Sequence, residues 1–330
     1  MDDPNDAPKK PLPKEITDQL RVGRGRYPEK RTLLSGNEGE AHNQVQRILD
    51  RLIAKHSPVA AEMQKQKQMW DDYELILGSF IRDDNDRTRQ KHGLLISGPR
   101  GLGKTTLVRG MLQATMTEKE YAERVKWETH QELNIAHLFE IFRRAPDASS
   151  IHLLDDLDGI WDKRPLLQMM LAALETGKEA RVISYRPPRP SDLPEKQTVE
   201  FRAKIITITN EDPAHLIATK PRMGEHIDAL LSRVIHLDFD ILSPEEQLAN
   251  ALDRIRGGML DDIGLNAKNQ LFPYVTWLEK ERDRLKLDLR VVKDMAVYFK
   301  EYNVPTAKRL ALRVGYRRAT RRERRAAKMA

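Results

Sequence analysis

Apolar residues recur along this chain with two different periods, and the points where the period changes divide it. Residues 1–36 have neither period: five prolines, three glycines and scattered charge leave no face to bury, and we read a disordered arm. From Asn37 onward Val45, Ile48, Leu49, Leu52 and Ile53 follow the spacing of an amphipathic helix, with Asn37 and Glu40 as a capping pair. A second helical stretch, about Val59 to Arg82, carries Met69, Trp70, Tyr73, Leu75 and Ile76. Residues 37–84 thus read as a helical preface, and the charged cluster Asp83 to Lys91 as a linker.

The next unit, residues 85–241, alternates short apolar runs with helical segments, the order expected of an α/β fold whose parallel sheet is covered on both faces. Strands are predicted at Gly93–Ser97, Val125–Thr129, Ile151–Leu154, Lys204–Thr209 and Val234–Phe239. At Ser243-Pro244-Glu245-Glu246 the chain offers a serine N-cap, a proline in the first turn and a glutamate three residues on, and Gly257-Gly258 can end that helix. Residues 242–303 then read helical throughout, over Leu271–Leu285 and Leu289–Tyr302, and residues 304–330 form a basic C-terminal tail.

Charge sharpens the division. Lys308–Ala330 holds ten Lys/Arg against Glu323, a balance of +9, while the whole chain of 330 residues is +7, so residues 1–307 sum to −2. The basicity therefore belongs to the tail. With 39% apolar and 32% charged residues, and no run near the roughly 18 apolar residues of a spanning helix, the chain reads as non-membrane. The opening Met1-Asp-Asp-Pro-Asn-Asp lacks the basic and apolar regions of a secretory signal, which predicts a cytoplasmic protein. No cysteine is present, which excludes disulfides, iron–sulfur clusters and thiolate metal sites, and the nine histidines show no HExxH spacing.

The sharpest chemical signal is Gly98-Pro99-Arg100-Gly101-Leu102-Gly103-Lys104-Thr105, a GxxxxGKT between an apolar strand and the helical run that starts at Thr106. Glycines let backbone N–H groups turn toward phosphate oxygens, and the following helix N-terminus adds positive potential. Lys104 can reach the terminal phosphates and Thr105 can ligate magnesium, which predicts ATP and Mg²⁺ as ligands. Fifty-one residues beyond Lys104, the run Ile151-His-Leu-Leu-Asp155-Asp156 ends in two carboxylates. Asp155 would hold the magnesium, and Asp156 would polarise the attacking water. A third apolar run, Ile205-Ile-Thr-Ile-Thr209, delivers Asn210 at its end, where it can orient water or equally start the turn before Glu211-Asp212-Pro213.

These motifs, followed by Arg233 in Ala229-Leu-Leu-Ser-Arg-Val-Ile and by Arg290 in Leu287-Asp-Leu-Arg-Val-Val, occur in the order of the AAA+ ATPases, which the chain resembles over about residues 85–302. The resemblance implies a P-loop core with a helical lid, Walker A at Gly98–Thr105 with Thr106 also on the nucleotide, Walker B at Asp155 and Asp156, and sensor 1 at Asn210. It further implies an arginine finger at Arg233, with Arg222 as competitor, sensor 2 at Arg290, and a homo-oligomeric ring or spiral. Many AAA+ members have Asp-Glu where this chain has Asp155-Asp156. Paired aspartates are similar to those of replication initiators, helicase loaders and transposition ATPases, and superfamily 3 helicases also pair acids before an asparagine.

That pattern points to DNA as partner, in replication or mobile-element transactions. The tail agrees, since Lys308, Arg309, Arg313, Arg317, Arg318, Arg321, Arg322, Arg324, Arg325 and Lys328 can grip a phosphate backbone without reading bases. Between the second acid and Asn210, the runs from Val182 and to Phe201 predict two short strands flanking a tip with Arg186, Arg189 and Lys196, either a pore hairpin or a plain surface loop. The rival readings are a remodeller of a protein client and a nucleotide-gated DNA-binding scaffold with little turnover.

Overall fold

The computed structural model of the chain describes residue 50 and residues 57–82, 91–129, 133–156, 158–186, 197–241 and 243–315. The arm at 1–36, nearly all of the first expected helix, the linker at 83–90, the hairpin tip with Arg189 and Lys196, and residues 316–330 lie outside them.

In chain order the elements are α1 (Ser57–Arg82), β1 (Gly93–Ser97), α2 (Lys104–Thr115), α3 (Glu118–Arg124), β2 (Val125–Thr129), α4 (Ile135–Arg144), β3 (Ile151–Asp155), α5 (Arg164–Ala173), β4 (Arg181–Tyr185), β5 (Gln197–Phe201), β6 (Lys204–Ile208), α6 (Pro213–Thr219), α7 (Pro221–Arg233), β7 (Val234–Asp238), α8 (Pro244–Arg256), α9 (Phe272–Glu281), α10 (Leu289–Glu301) and α11 (Val304–Gly315). A 3₁₀ turn, Asp158–Asp162, follows β3. Five strands form one parallel sheet in the order β2-β3-β6-β1-β7.

The three inner strands are buried along their whole length, which is why they read as unbroken apolar runs and not as alternating ones. One sheet face is covered by α4, α5 and α7 through Phe139, Phe142, Leu167 and Leu230. The other lies under α1 and α2 through Leu77, Phe80, Val108 and Met111. The antiparallel pair β4–β5 forms a separate ribbon, in register from Arg181↔Phe201 to Tyr185↔Gln197. Its base is fixed by the buried Arg181, whose Nε donates to Phe201 O (3.1 Å) and Nη2 to Ala203 O (2.7 Å).

Beyond β7 the helices α8–α11 enclose their own core, with Leu248, Leu252, Tyr274, Leu278, Val292 and Phe299. The capping box at Ser243 is present in full: its Oγ accepts from Glu246 N (3.1 Å), and the Glu246 carboxylate accepts from Ser243 N (2.8 Å).

Two features depart from the sequence reading. First, α1 is more than a preface, because one stripe of its surface packs on two bodies. Toward its start Met63 joins the lid core and Gln66 Nε2 donates to Glu246 O (2.8 Å). Toward its end Leu77, Phe80 and Ile81 join the sheet core, where the buried Lys204 donates to Phe80 O (3.0 Å) and Ile81 O (3.2 Å), a cation on helix C-terminal carbonyls. Midway, Trp70 is buried between the Phe239 ring (centroids 4.7 Å apart) and the Arg254 guanidinium (4.0 Å), and Tyr73 OH donates to Asp238 O.

Second, the basic tail does not start at residue 304. Val304–Gly315 is a helix whose Ala307, Ala311 and Gly315 are buried in the lid, so the small residues make the core face while Lys308, Arg309 and Arg313 stay exposed. A Cβ on Gly315 would meet Met295 Sδ at 2.3 Å. Among the described residues no helix is long and apolar enough to cross a membrane.

Candidate functional site

Because β1, β3 and β6 are parallel neighbours, their C-terminal ends lie side by side, and each end carries a chemical group that the sequence singled out. The turn after β1 is built for close approach. Gly98 has φ +135°, and a Cβ there would stand 2.7 Å from Phe239 O. Gly101 has φ +77°, and its missing Cβ would lie 2.1–2.4 Å from the Asp288 carboxyl group. Both positions therefore exclude a side chain twice over, by backbone conformation and by space. The turn opens onto α2, twelve residues with no acid in the first turn, so its amide dipole is unopposed there.

Lys104 is buried, and its ammonium donates to Gly98 O (2.8 Å), Pro99 O (2.8 Å) and Asn210 Oδ1 (3.1 Å). Thr105 Oγ1 donates to the Asp155 carboxylate, 3.1 and 3.2 Å from its two oxygens. Asn210 turns its amide nitrogen the other way, donating to Asp156 Oδ1. One amide thus joins the P-loop lysine to the second carboxylate. Asp156 itself sits at φ +60°, where Asp and Asn are enriched and longer side chains are not, which accounts for aspartate at this position. Its N–H donates to Ile208 O (3.0 Å), which ties the turn after β3 to the end of β6.

The hydroxyl of Thr105 and the carboxylate of Asp155 form a hard-oxygen pair beside the phosphate turn, a donor set that suits magnesium. Below them, Ser97 Oγ donates to Asp238 Oδ1 (2.7 Å) and lies 2.7 Å from His236 Nε2. Burial, only partly offset by Asp238 and Asp212, holds His236 below its ordinary pKa.

The arginines are less concentrated. Arg233, the last residue of α7, is half-buried and donates from Nη1 to Leu171 O (2.5 Å) at the start of β7, the end of the sheet away from this chain's own P-loop. Arg222 is exposed in the first turn of α7. Arg290 is exposed too, and its guanidinium makes no hydrogen bond or ion pair among the described residues. Its helix start nevertheless touches the P-loop: Leu289 N donates to Gly101 O (3.0 Å), and Asp288 caps α10 through Arg290 N (2.8 Å). Arg186 is exposed at the end of β4.

Sequence reasoning missed three residues of this neighbourhood. Asp288 carried a usable signal, an N-cap residue directly before an apolar-periodic run. Phe239, which Gly98 abuts, and Trp161, whose Nε1 donates to Thr209 Oγ1 beside Asn210, carried none, since a core aromatic looks the same whatever it backs.

The profile described as "ATPase family associated with various cellular activities (AAA)" matches residues 94–239. An uncharacterized 36.7 kDa protein from the nrdC-mobD intergenic region of Enterobacteria phage T4 is 26% identical over 198 residues, and the match spans 58% of this chain and 58% of that protein. Among solved structures, domain III of the replication initiation protein DnaA of Thermotoga maritima is similar at TM-score 0.45 and 14% identity, over 74% of this chain and 92% of that one. NtrX from Brucella abortus, in complex with ADP, is similar at TM-score 0.40 and 12% identity, over 85% of this chain and 65% of that one.

Proposed function

We propose that this chain, whose residues 94–239 are a P-loop ATPase domain of the AAA family, hydrolyses ATP and uses the energy to remodel a nucleic-acid complex. The observation that carries the hydrolytic reading is the bridge from Lys104 through Asn210 to Asp156, beside the Thr105–Asp155 pair.

On nucleotide binding, Lys104 exchanges its carbonyl acceptors for terminal phosphate oxygens, while the turning N–H groups and the α2 N-terminus take the remaining charge. Thr105 and Asp155 are the residues that would hold Mg²⁺, which neutralises developing phosphate charge when bound. Asn210 lies between the phosphate-binding lysine and the general base, where its amide can align a water on the terminal phosphorus. Asp156 accepts that water's proton as the bond to the ADP oxygen breaks. Completion of the site by Arg233 of an adjoining copy fits its place far from this chain's own P-loop, and makes the active form an oligomer.

Nucleic acid as the partner rests on charge. Lys308, Arg309 and Arg313 are exposed on α11, and seven more Lys/Arg follow it between Arg317 and Lys328. Arginines along such a segment would hold phosphates without reading sequence. The test is ATP turnover with and without single- and double-stranded DNA, together with DNA affinity as a function of salt. DNA should stimulate turnover, and a chain ending at Gly315 should lose up to about six from the log–log salt slope, at roughly 0.9 per phosphate. No turnover under any condition refutes the hydrolytic reading; unchanged DNA affinity and slope on truncation refute the assignment of the partner.

A further inference from the structure

The turn that carries Asn210 is held from behind by a residue that no motif contains. Trp161, in the 3₁₀ turn that follows the acidic pair, is buried with 2% of its surface exposed. Its indole Nε1 donates to Thr209 Oγ1 at 3.0 Å. Thr209, 1% exposed, is the residue before Asn210. The same Oγ1 accepts from Glu211 N at 3.1 Å, so one oxygen clasps the chain on both sides of residue 210. Thr209 N donates in turn to Ile96 O (2.9 Å) at the end of β1, two residues before Gly98.

We infer that Trp161 is a positioning residue for Asn210: its hydrogen bond to Thr209 sets where the Asn210 amide stands between Lys104 and Asp156. The inference rests on the hydrolytic reading of that site. Its physical basis is the direction of the constraint. The main-chain bond to Ile96 fixes the height of residue 209 against β1, and the bond from Glu211 closes the turn, but neither reaches the 3₁₀ turn after β3. The indole ties the side chain of residue 209 to the 3₁₀ turn beyond Asp156, and so adds a second anchor to the main-chain bond from Asp156 N to Ile208 O. The two groups that Asn210 must relate, the P-loop lysine and the second carboxylate, belong to different segments, the first opening α2 after β1 and the second following β3. A tie between the β6 turn and the segment after β3 fixes their separation through the backbone. In-line attack tolerates little displacement: a misplacement of about 1 Å at a reacting group costs up to about a hundredfold in rate.

A pure packing role makes a different prediction, because the ring and not the N–H would matter. Trp161→Phe keeps an aromatic ring in the core and deletes the donor. Thr209→Val keeps shape and deletes the acceptor, and Thr209→Ser keeps the acceptor and drops a methyl. The measurements are kcat and KM for ATP on the full chain, equilibrium binding of a fluorescent ADP analogue, and the thermal midpoint as a control for folding. Trp161→Phe and Thr209→Val should each lower kcat about tenfold and leave ADP affinity within about threefold, since the P-loop is untouched. The double variant should fall no further than either single one, and Thr209→Ser should keep wild-type kcat. An active wild type with undiminished kcat in Trp161→Phe or Thr209→Val overturns the inference alone. So does a loss of kcat in Thr209→Ser equal to that in Thr209→Val, which would mark the site as sensitive to packing. A wild type that binds the ADP analogue and does not turn over ATP overturns the inference together with the hydrolytic reading.

Discussion

Replacing Trp70 by alanine removes the ring at which sheet domain, lid and α1 meet. The side chain is buried, stands edge-on to Phe239 at 4.7 Å and lies under the Arg254 guanidinium at 4.0 Å. Truncating a buried tryptophan costs about 3–5 kcal/mol, since neighbouring groups collapse only partly into the space left. Within that total the aromatic pair contributes about 1 kcal/mol and the cation over the ring about 1 kcal/mol. Phe239 and Arg254 lie on opposite sides of the connection from β7 to α8, so the loss also cuts the tie between two cores. We expect urea unfolding followed by circular dichroism to show a destabilisation of about 4 kcal/mol and a transition that broadens or splits as lid and sheet domain unfold separately. Trp70→Phe, which keeps a ring against Phe239, should cost about half as much. A loss below about 1 kcal/mol in Trp70→Ala, with a single transition of unchanged steepness, would refute the idea that α1 couples the two bodies.

Asp156→Asn, which suits the left-handed backbone equally well and can still accept from Asn210, should leave ADP binding intact and lower ATP turnover at least about a hundredfold. Asp156→Glu should be less stable by about 1 kcal/mol in a denaturant titration, because a longer side chain strains the same φ. Arg233→Ala should bind ATP and fail to hydrolyse it, and mixing it with Lys104→Ala should restore part of the turnover; full activity of Arg233→Ala alone would return the finger to Arg222. His152 is buried with Nε2 donating to Ala145 O (2.7 Å) and Nδ1 without a partner among the described residues, and burial lowers its pKa to about 4. The unfolded chain therefore takes up a proton near pH 6.5 that the folded one refuses until about pH 4. Stability from this group is complete above about pH 6.5 and falls by about 3 kcal/mol on acidification to pH 4, a slope that His152→Phe should remove from the pH profile of the urea midpoint.

What the sequence made legible was whatever is local. The three inner strands β1, β3 and β6 stand out because they are buried on both faces and therefore largely apolar, and the phosphate turn is a contiguous stretch whose glycines are demanded by backbone geometry. Asp155, Asp156 and Asn210 were found because a parallel sheet brings strand ends together wherever they fall in the chain. Partnership was not legible. The stripe Met63, Trp70, Leu77, Ile81 announces a buried helix face, but periodicity does not say that its two halves meet different cores. On α11 the charges drew the eye, although Ala307, Ala311 and Gly315 at four-residue spacing were the helical signal. Neither the left-handed turn at Asp156 nor the bond from Trp161 to Thr209 has any sequence mark, since both are properties of a segment meeting another segment.

Gly315 has a consequence beyond its fit against Met295. Its carbonyl accepts from Lys286 N (2.8 Å), while three residues on, Leu289 N donates to Gly101 O in the phosphate turn. The seven distal cations begin two residues after Gly315, so a polyanion held by them and a nucleotide held by the P-loop would be moored to the two ends of one stretch of backbone four residues long. A short tether has little slack in which to dissipate a displacement. If a polyanion shifts that stretch and so changes nucleotide affinity by some factor, thermodynamic reciprocity requires nucleotide to change polyanion affinity by the same factor. The ratio of the two affinities would then record whether the phosphate turn is filled, making occupancy of one ligand a meter for the other.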